Sequence, residues 1–265
     1  MTVSLTWVDA FTDARYGGNP AAVCVLSEPW PADDMQSLAM ELGISETAFV
    51  VPTAEVGSFD LRWFSPSVEI DLCGHATLAA AHALRAHQVV NGEAPVTFHT
   101  RSGPLTASFV GDVIELDFPA NPLTETGLPE ALQGEWEAAT VLAAGRSDFF
   151  AVVVLASEAA VRRYRPNLAA VAATGHNAVL VTAAADPGSA ADYVLRVFGP
   201  NVGIDEDPAT GSAQCVLGPY WSGALNRKTL VAHQVSARGA VLEVRPEGDR
   251  VHIGGRAVTV FSGTL

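Results

Sequence analysis

The chain is poor in cysteine, in positive charge and in long apolar runs, and each shortage narrows what it can be. Three cysteines, Cys24, Cys73 and Cys215, are spread over 265 residues. An odd number at wide spacing indicates neither a disulfide framework nor a zinc site. Basic residues number 15 against 29 acidic ones, a formal net charge of -14. That balance argues against nucleic acid or an anionic membrane as a partner. A small anionic substrate stays compatible, because a helix terminus acts locally against the overall field. No apolar run approaches the roughly 20 residues that span a bilayer. The first ten residues lack the basic-then-apolar pattern of a secretory leader. The expectation is a cytoplasmic protein. There is no phosphate loop, no dinucleotide fingerprint and no recognised metal-ligand spacing among the histidines, so no cofactor and no metal are expected.

What the chain does have is apolar content, 49% of residues against 17% charged. That supports a substantial core in one large domain or two ordinary ones. Alternation and turn residues predict strands at 5–10, 21–26, 48–51, 59–64, 96–100, 105–110 and 113–117. Helices are expected over 31–42, opened by Pro31-Ala32-Asp33-Asp34, and, Ala-rich and compact, over 76–87. The polar, Pro/Gly-rich stretch 121–129 is the best linker, dividing the chain into 1–120 and 130–265. Whether the final strand returns to the first domain is left open. Further strands are expected at 140–143, 149–155, 178–182, 193–198, 230–235, 241–245, 251–253 and 257–261. Helices are expected at 167–173 and from Ala213 to about Leu225.

One internal match organises the chain. Residues 61–71, L-R-W-F-S-P-S-V-E-I-D, and residues 195–205, L-R-V-F-G-P-N-V-G-I-D, are identical at seven of eleven positions. Three inserted residues later, Cys73-Gly74-His75-Ala76 meets Thr210-Gly211-Ser212-Ala213. Arg101-Ser102-Gly103 likewise resembles Ala237-Arg238-Gly239. The separation is about half the chain, so two similar strand-rich units, each around one main helix, are expected. Two equivalent helix starts facing one cleft would suit a carboxylate.

The residues expected to meet there are Glu46, Cys73, His75, Asp207, Thr210 and Ser212. A carboxylate beside an imidazole is a sensible acid/base arrangement, and a closed, low-dielectric pocket lets a carboxyl carry a proton at neutral pH. Each residue also has a plainer reading: Glu46 as an exposed strand entry, His75 bonded to backbone, Asp207 in an Asx-turn, Cys73 as a small buried filler. Ser212 before an apolar run is also an ordinary helix cap.

The ordered motifs G-G-N-P-A-A-V at 17–23, S-E-T-A-F-V at 45–50, D-L-C-G-H-A-T-L at 71–78 and E-D-P-A-T-G-S-A at 206–213 resemble the PhzF-like phenazine-biosynthesis family through nearly the whole chain. The resemblance implies the diaminopimelate-epimerase-like fold. This is an α+β architecture of two pseudo-symmetric halves, each a barrel-like, mostly antiparallel sheet around a central helix. It also implies cofactor-free isomerase chemistry and a homodimer. The family's phenazine enzyme isomerises trans-2,3-dihydro-3-hydroxyanthranilate by moving a proton. Its acid/base glutamate corresponds to Glu46, and its site histidine, aspartate and serine to His75, Asp207 and Ser212. Gly74, His75, Gly211 and Ser212 would grip a substrate carboxylate, with Asn19, Cys73, Asp207 and Thr210 also among the binding residues. Epimerases of this fold use two cysteines, one at each helix start. Here the second position is Thr210, so a two-thiol mechanism is not expected. Two rivals remain: a Cys73-dependent amino-acid epimerase or dehydratase, and a non-catalytic small-acid-binding protein.

Overall fold

A computed structural model describes residues 3–136 and 141–265. The chain divides into one unit of Met1–Asp117 with Ile253–Leu265, and a second of Phe118–His252.

The first unit runs β1 (Ser4–Ala10), β2 (Asn19–Val25), α1 (Ala32–Leu42), β3 (Glu46–Pro52), β4 (Ser58–Phe64), β5 (Glu69–Ile70), α2 (Gly74–Ala86), β6 (Val96–Thr100), β7 (Gly103–Val110) and β8 (Val113–Pro119), whose last residues lie beyond the boundary. The closing strand of the chain, β18 (Ala257–Thr264), pairs antiparallel with β1. Antiparallel pairs predominate, but β2–β3 and β4–β6 are parallel. Each parallel step needs a crossover, and α1 and α2 supply them. Gly43 ends α1 in the left-handed conformation, as a helix C-terminal glycine does. Met35 and Ala39 of α1 pack with Cys24, Phe49 and Phe64. α2 packs against β1, β2, β3, β7 and β18. Its side chains from Gly74 to Ala81 are all buried. Five buried alanines in α2 let strands approach from several sides, since small side chains keep the helix narrow.

The second unit repeats this plan. Its elements are β9 (Thr124–Glu125), β10 (Val141–Arg146), β11 (Phe150–Leu155), α3 (Glu158–Arg163), α4 (Leu168–Ala173), β12 (Ala178–Ala184), β13 (Tyr193–Gly199), β14 (Ile204–Asp207), α5 (Gln214–Leu225), β15 (Leu230–Gln234), β16 (Ala240–Glu247) and the start of β17 (Arg250–Gly255), whose last three residues group with the first unit. β11–β12 and β13–β15 are its parallel pairs, matching β2–β3 and β4–β6. Val161 of α3 and Val171 of α4 pack with Val153, Val181, Val194 and Phe198, the part played by α1 in the first unit. Gly103 and Gly239, at matching strand entries, both take positive φ, which glycine adopts without strain.

Several expectations are corrected. The stretch 121–129 is not a free linker: Thr124 and Glu125 pair with Arg146 and Gly145 inside the second unit. The final strand, whose place was left open, is a different case: residues 253–265 group with the first unit, because β18 finds its ladder on β1. Helix α3 was not expected; its six residues are too few to show an apolar period, and its signal is the cap, where Ser157 Oγ accepts from Ala160 N. Helix α2 starts at Gly74, two residues early, and α5 starts at Gln214. The strand expected at 140–143 begins, in the described residues, at Val141; Thr140 lies outside them.

The register also relocates the three-residue insertion. Arg62 makes a two-pronged bond to Glu69, at 2.7 and 2.8 Å. Arg196 makes the same fork to Glu206, at 2.8 Å for both prongs. Each guanidinium also lies over a ring, Phe64 at 5.1 Å and Phe198 at 4.8 Å. Glu69 therefore corresponds to Glu206, and Ile70, opposite Trp63, to Asp207, opposite Val197. The extra residues are taken up earlier, in the turn Pro200–Val202 before Gly203. The Ile70/Ile204 and Asp71/Asp205 identities are coincidences of sequence.

Arg196 is buried and also donates to the carbonyls of Val161 and Tyr164. Arg62 is more open, and Glu69 keeps a second cation in Arg101 at 3.0 Å. Glu206→Ala strands a buried charge and should cost about 3 kcal/mol, whereas Glu69→Ala should cost about 1 kcal/mol or less. Thermal and urea unfolding check this; equal or reversed losses contradict it.

Candidate active site

Parallel pairing sets Glu46, the first residue of β3, beside Ala21 of β2, with Asn19 at the start of that strand. Helix α2 brings its first turn to the same place. Cys73 is the residue before the helix, in extended conformation, and Thr77 Oγ1 and N both bond its carbonyl. His75 then projects from the first turn.

The resulting cluster is tight. Glu46 Oε2 lies 2.9 Å from His75 Nε2. Cys73 Sγ lies 3.5 Å from His75 Nδ1 and 4.0 Å from Nε2. Asn19 Nδ2 lies 3.2 Å from Nδ1 on the other side. Glu46, Cys73 and His75 are each less than a tenth exposed, and Asn19 is fully buried. Despite its closeness to the imidazole, Glu46 Oε2 has no aligned hydrogen bond. The carboxylate is in ionic contact with the imidazole.

Burial opposes charge on His75, yet the neighbouring Cys73 and Glu46 hold its imidazole pKa well above the ordinary value. Burial also pushes the Cys73 thiol up, against the pull of His75. These two shifts compete, since a protonated thiol offers His75 no charge. Glu46, 2.9 Å from Nε2, is the other neighbour that favours the imidazolium. An imidazolium donates from both nitrogens, so Asn19 must present oxygen to Nδ1. Ser45 allows this. Its single hydroxyl proton faces both Asn19 Oδ1 at 3.1 Å and the Pro20 carbonyl at 3.0 Å. When Ser45 donates to Pro20, the Asn19 amide turns over, gives N–H to Ser45 and Oδ1 to His75; the two amide orientations differ only in hydrogen bonding.

In the second unit, Thr210 Oγ1 donates to Asp207 Oδ2 at 2.5 Å. Gln234 clamps both. Its Oε1 accepts from Thr210 N at 2.7 Å, and its Nε2 donates to the Asp207 carbonyl at 2.6 Å and reaches Thr210 Oγ1 at 3.2 Å. Gln214 Nε2 donates to the Thr210 carbonyl, and Tyr193 holds Gln214. Gly211 and Ser212 lead into α5, their carbonyls accepting from Gln214 and Cys215.

The structure thus brings Asn19, Glu46, Cys73, Gly74 and His75 together in one unit, and Asp207, Thr210, Gly211 and Ser212 in the other. Sequence reasoning missed Ser45 as a polar partner and missed Gln234 altogether. Ser45 was visible beside Glu46 in S-E-T. Gln234 had no local signal, being 24 residues from Thr210 and joined to it only by the β13–β15 pairing. An open groove of about 390 Å³ elsewhere on the first unit, lined by Asp13, His82, Arg85, Asp112 and Arg256 among others, includes none of these residues.

The family model for phenazine biosynthesis-like protein matches residues 8–263. The chain belongs to the phenazine biosynthesis-like family. An uncharacterized isomerase of Pseudomonas aeruginosa is 46% identical, covering 100% of this chain and 99% of the relative. One from Halalkalibacterium halodurans is 43% identical with the same coverage. A crystal structure of a PhzF-family protein from Enterococcus faecalis has a TM-score of 0.93 at 38% identity, covering 100% of this chain and 99% of that one. On this similarity the chain is an isomerase, and its fold is the pseudo-symmetric one of this family. Among the described residues, no helix is long and apolar enough to cross a membrane.

A raised folded-state pKa means that His75 contributes stability fully below its unfolded pKa and loses it as pH rises through the folded one. Side-chain NMR should find His75 titrating above about 6.5, the unperturbed value, and Glu46→Gln should lower it. Titration at or below the ordinary value in the parent protein contradicts the assignment.

Proposed function

We propose that the chain is a cofactor-independent isomerase in which Glu46 removes and returns a carbon-bound proton on a small carboxylate substrate. The observation that carries this reading is the Glu46 carboxylate: buried, in ionic contact with His75, and with Oε2 unmatched by an aligned donor. A carboxylate placed there is a suitable group to take up and return a substrate proton.

His75, 2.9 Å from Glu46, donates to charge that develops on the substrate. The first N–H groups of α2, at Gly74 and His75, have no partner within the helix and suit a carboxylate. Asp207, Gly211 and Ser212 belong to the grip in this proposal; their support is the motif resemblance. Thr210 orients Asp207 through its hydroxyl. The substrate class is a small acid, cyclic or amino-bearing, similar to trans-2,3-dihydro-3-hydroxyanthranilate. Cys73 is disfavoured as the base because burial holds its thiol protonated, and its counterpart Thr210 offers no second thiol.

Solvent-deuterium incorporation into a panel of small carboxylic acids tests this. Glu46→Gln should lower exchange by about 10²–10⁴-fold, while Cys73→Ser should leave it on the same order. Exchange that survives in Glu46→Gln but collapses in Cys73→Ser favours the thiol-dependent reading. A parent protein that binds acids and exchanges none favours the binding protein.

A further inference from the structure

Helix α5 is preceded by a polar cluster whose hydrogen-bond directions are fixed by its own chemistry. Strands β14 and β15 both pair with β13, and they end at Asp207 and Gln234. The Gln234 amide has one workable orientation. Its oxygen faces the Thr210 N–H at 2.7 Å, which can only donate, and its nitrogen faces the Asp207 carbonyl at 2.6 Å, which can only accept. The turned-over amide would set donor against donor and acceptor against acceptor. Nε2 therefore also presents an N–H to Thr210 Oγ1, at 3.2 Å. The threonine hydroxyl has one proton. With a donor on one side, it directs that proton to Asp207 Oδ2, at 2.5 Å. Gln214 Nε2 holds the other end of the Thr210 residue through its carbonyl, at 3.2 Å. Thr210, Gln214 and Gln234 are all buried.

We propose that Gln234 is a positioning residue for the isomerase: it fixes the direction of the Thr210 hydroxyl and, through it, the Asp207 carboxylate that meets the substrate. A second observation separates this from scaffold duty, because the first unit keeps the same plan without the clamp. Asp60 pairs with His99 as Val194 pairs with His233, so Thr100 stands where the second unit has Gln234. Thr100 Oγ1 donates instead to the Gly103 carbonyl, at 2.6 Å, within its own hairpin. Ile70, the counterpart of Asp207, has no polar side chain to orient. The clamp occurs beside the carboxylate and is missing beside the isoleucine. A carboxylate already held by Thr210 accepts from an amino or hydroxyl group of the substrate without first reorienting. The role in turnover rests on the isomerase reading and on Asp207 belonging to the grip; the clamp itself does not.

A double-mutant cycle on the full chain tests this. It is read by urea unfolding and by deuterium exchange on the acid of the panel that the parent protein exchanges fastest. Gln234→Glu keeps the shape and the acceptor for Thr210 N. Once ionised, it replaces the Nε2 donor with an acceptor that draws the Thr210 proton away from Asp207. Thr210→Val removes the hydroxyl. Each should lower kcat/KM for exchange about tenfold, and the double variant should be about as slow as the slower single one, as residues acting through each other are. The introduced carboxyl can still donate while protonated, so Gln234→Glu should gain a fall in kcat/KM as pH rises through its ionisation, absent from the parent. Losses that multiply, or a pH profile parallel to the parent's, overturn the positioning role even where the unfolding cycle is coupled, since that pattern is structural. If circular dichroism shows Gln234→Glu unfolded, Thr210 decides. Exchange in Thr210→Val equal to the parent's overturns the proposal; a loss that Thr210→Ser largely restores supports it. Absence of exchange in the parent protein counts against the isomerase reading instead, and the urea cycle, which needs no substrate, then still reports the clamp.

Discussion

The contact between the Glu46 carboxylate and the His75 imidazole places two ionisable groups where water is scarce. Such a pair contributes little net stability, since desolvation offsets most of its attraction. The fold must therefore hold it in place by other means. The Ala-rich α2, enclosed by strands, fixes where His75 emerges. The parallel β2–β3 register fixes Glu46 and Asn19 opposite it. Hydrophobic burial around α2 and β3 positions chemistry that is not itself a source of stability.

Repetition of one plan separates scaffold from chemistry. The arginine fork, the aromatic ring beneath it, the two parallel pairings and the glycine at the strand entry occur in both units. The residues beyond the fork differ. Ile70 stands where the second unit has Asp207, and Cys73 where it has Thr210. In the second unit the polar groups satisfy one another through Gln234 and Gln214, which suits fixed orientation. In the first, a buried carboxylate lies against the imidazole, which suits proton transfer.

Strand positions, the two main helices and the duplication were legible in the sequence because apolar alternation and turn residues are local signals. The residues Glu46, Cys73 and His75 could be nominated for the same reason, each lying beside a strand or helix start. The Glu46–His75 contact was less legible, since it depends on parallel register. Gln234 was invisible because its partner lies across a strand pairing. The insertion was misplaced because chance identity at Ile204 and Asp205 outweighed a constraint seen only in three dimensions, the need of Arg196 for a carboxylate. The return of residues 253–265 to the first unit depends on which strand offers β18 an edge, and sequence alone does not specify that.

Chemical rescue tests the central role of Glu46 most directly. Glu46→Ala removes the carboxylate and leaves space for a small one. Deuterium exchange on an active substrate should be nearly absent in the folded variant and should return, saturably, with added formate but not with chloride. Exchange at the parent rate without formate would contradict the assignment of Glu46 as the proton carrier.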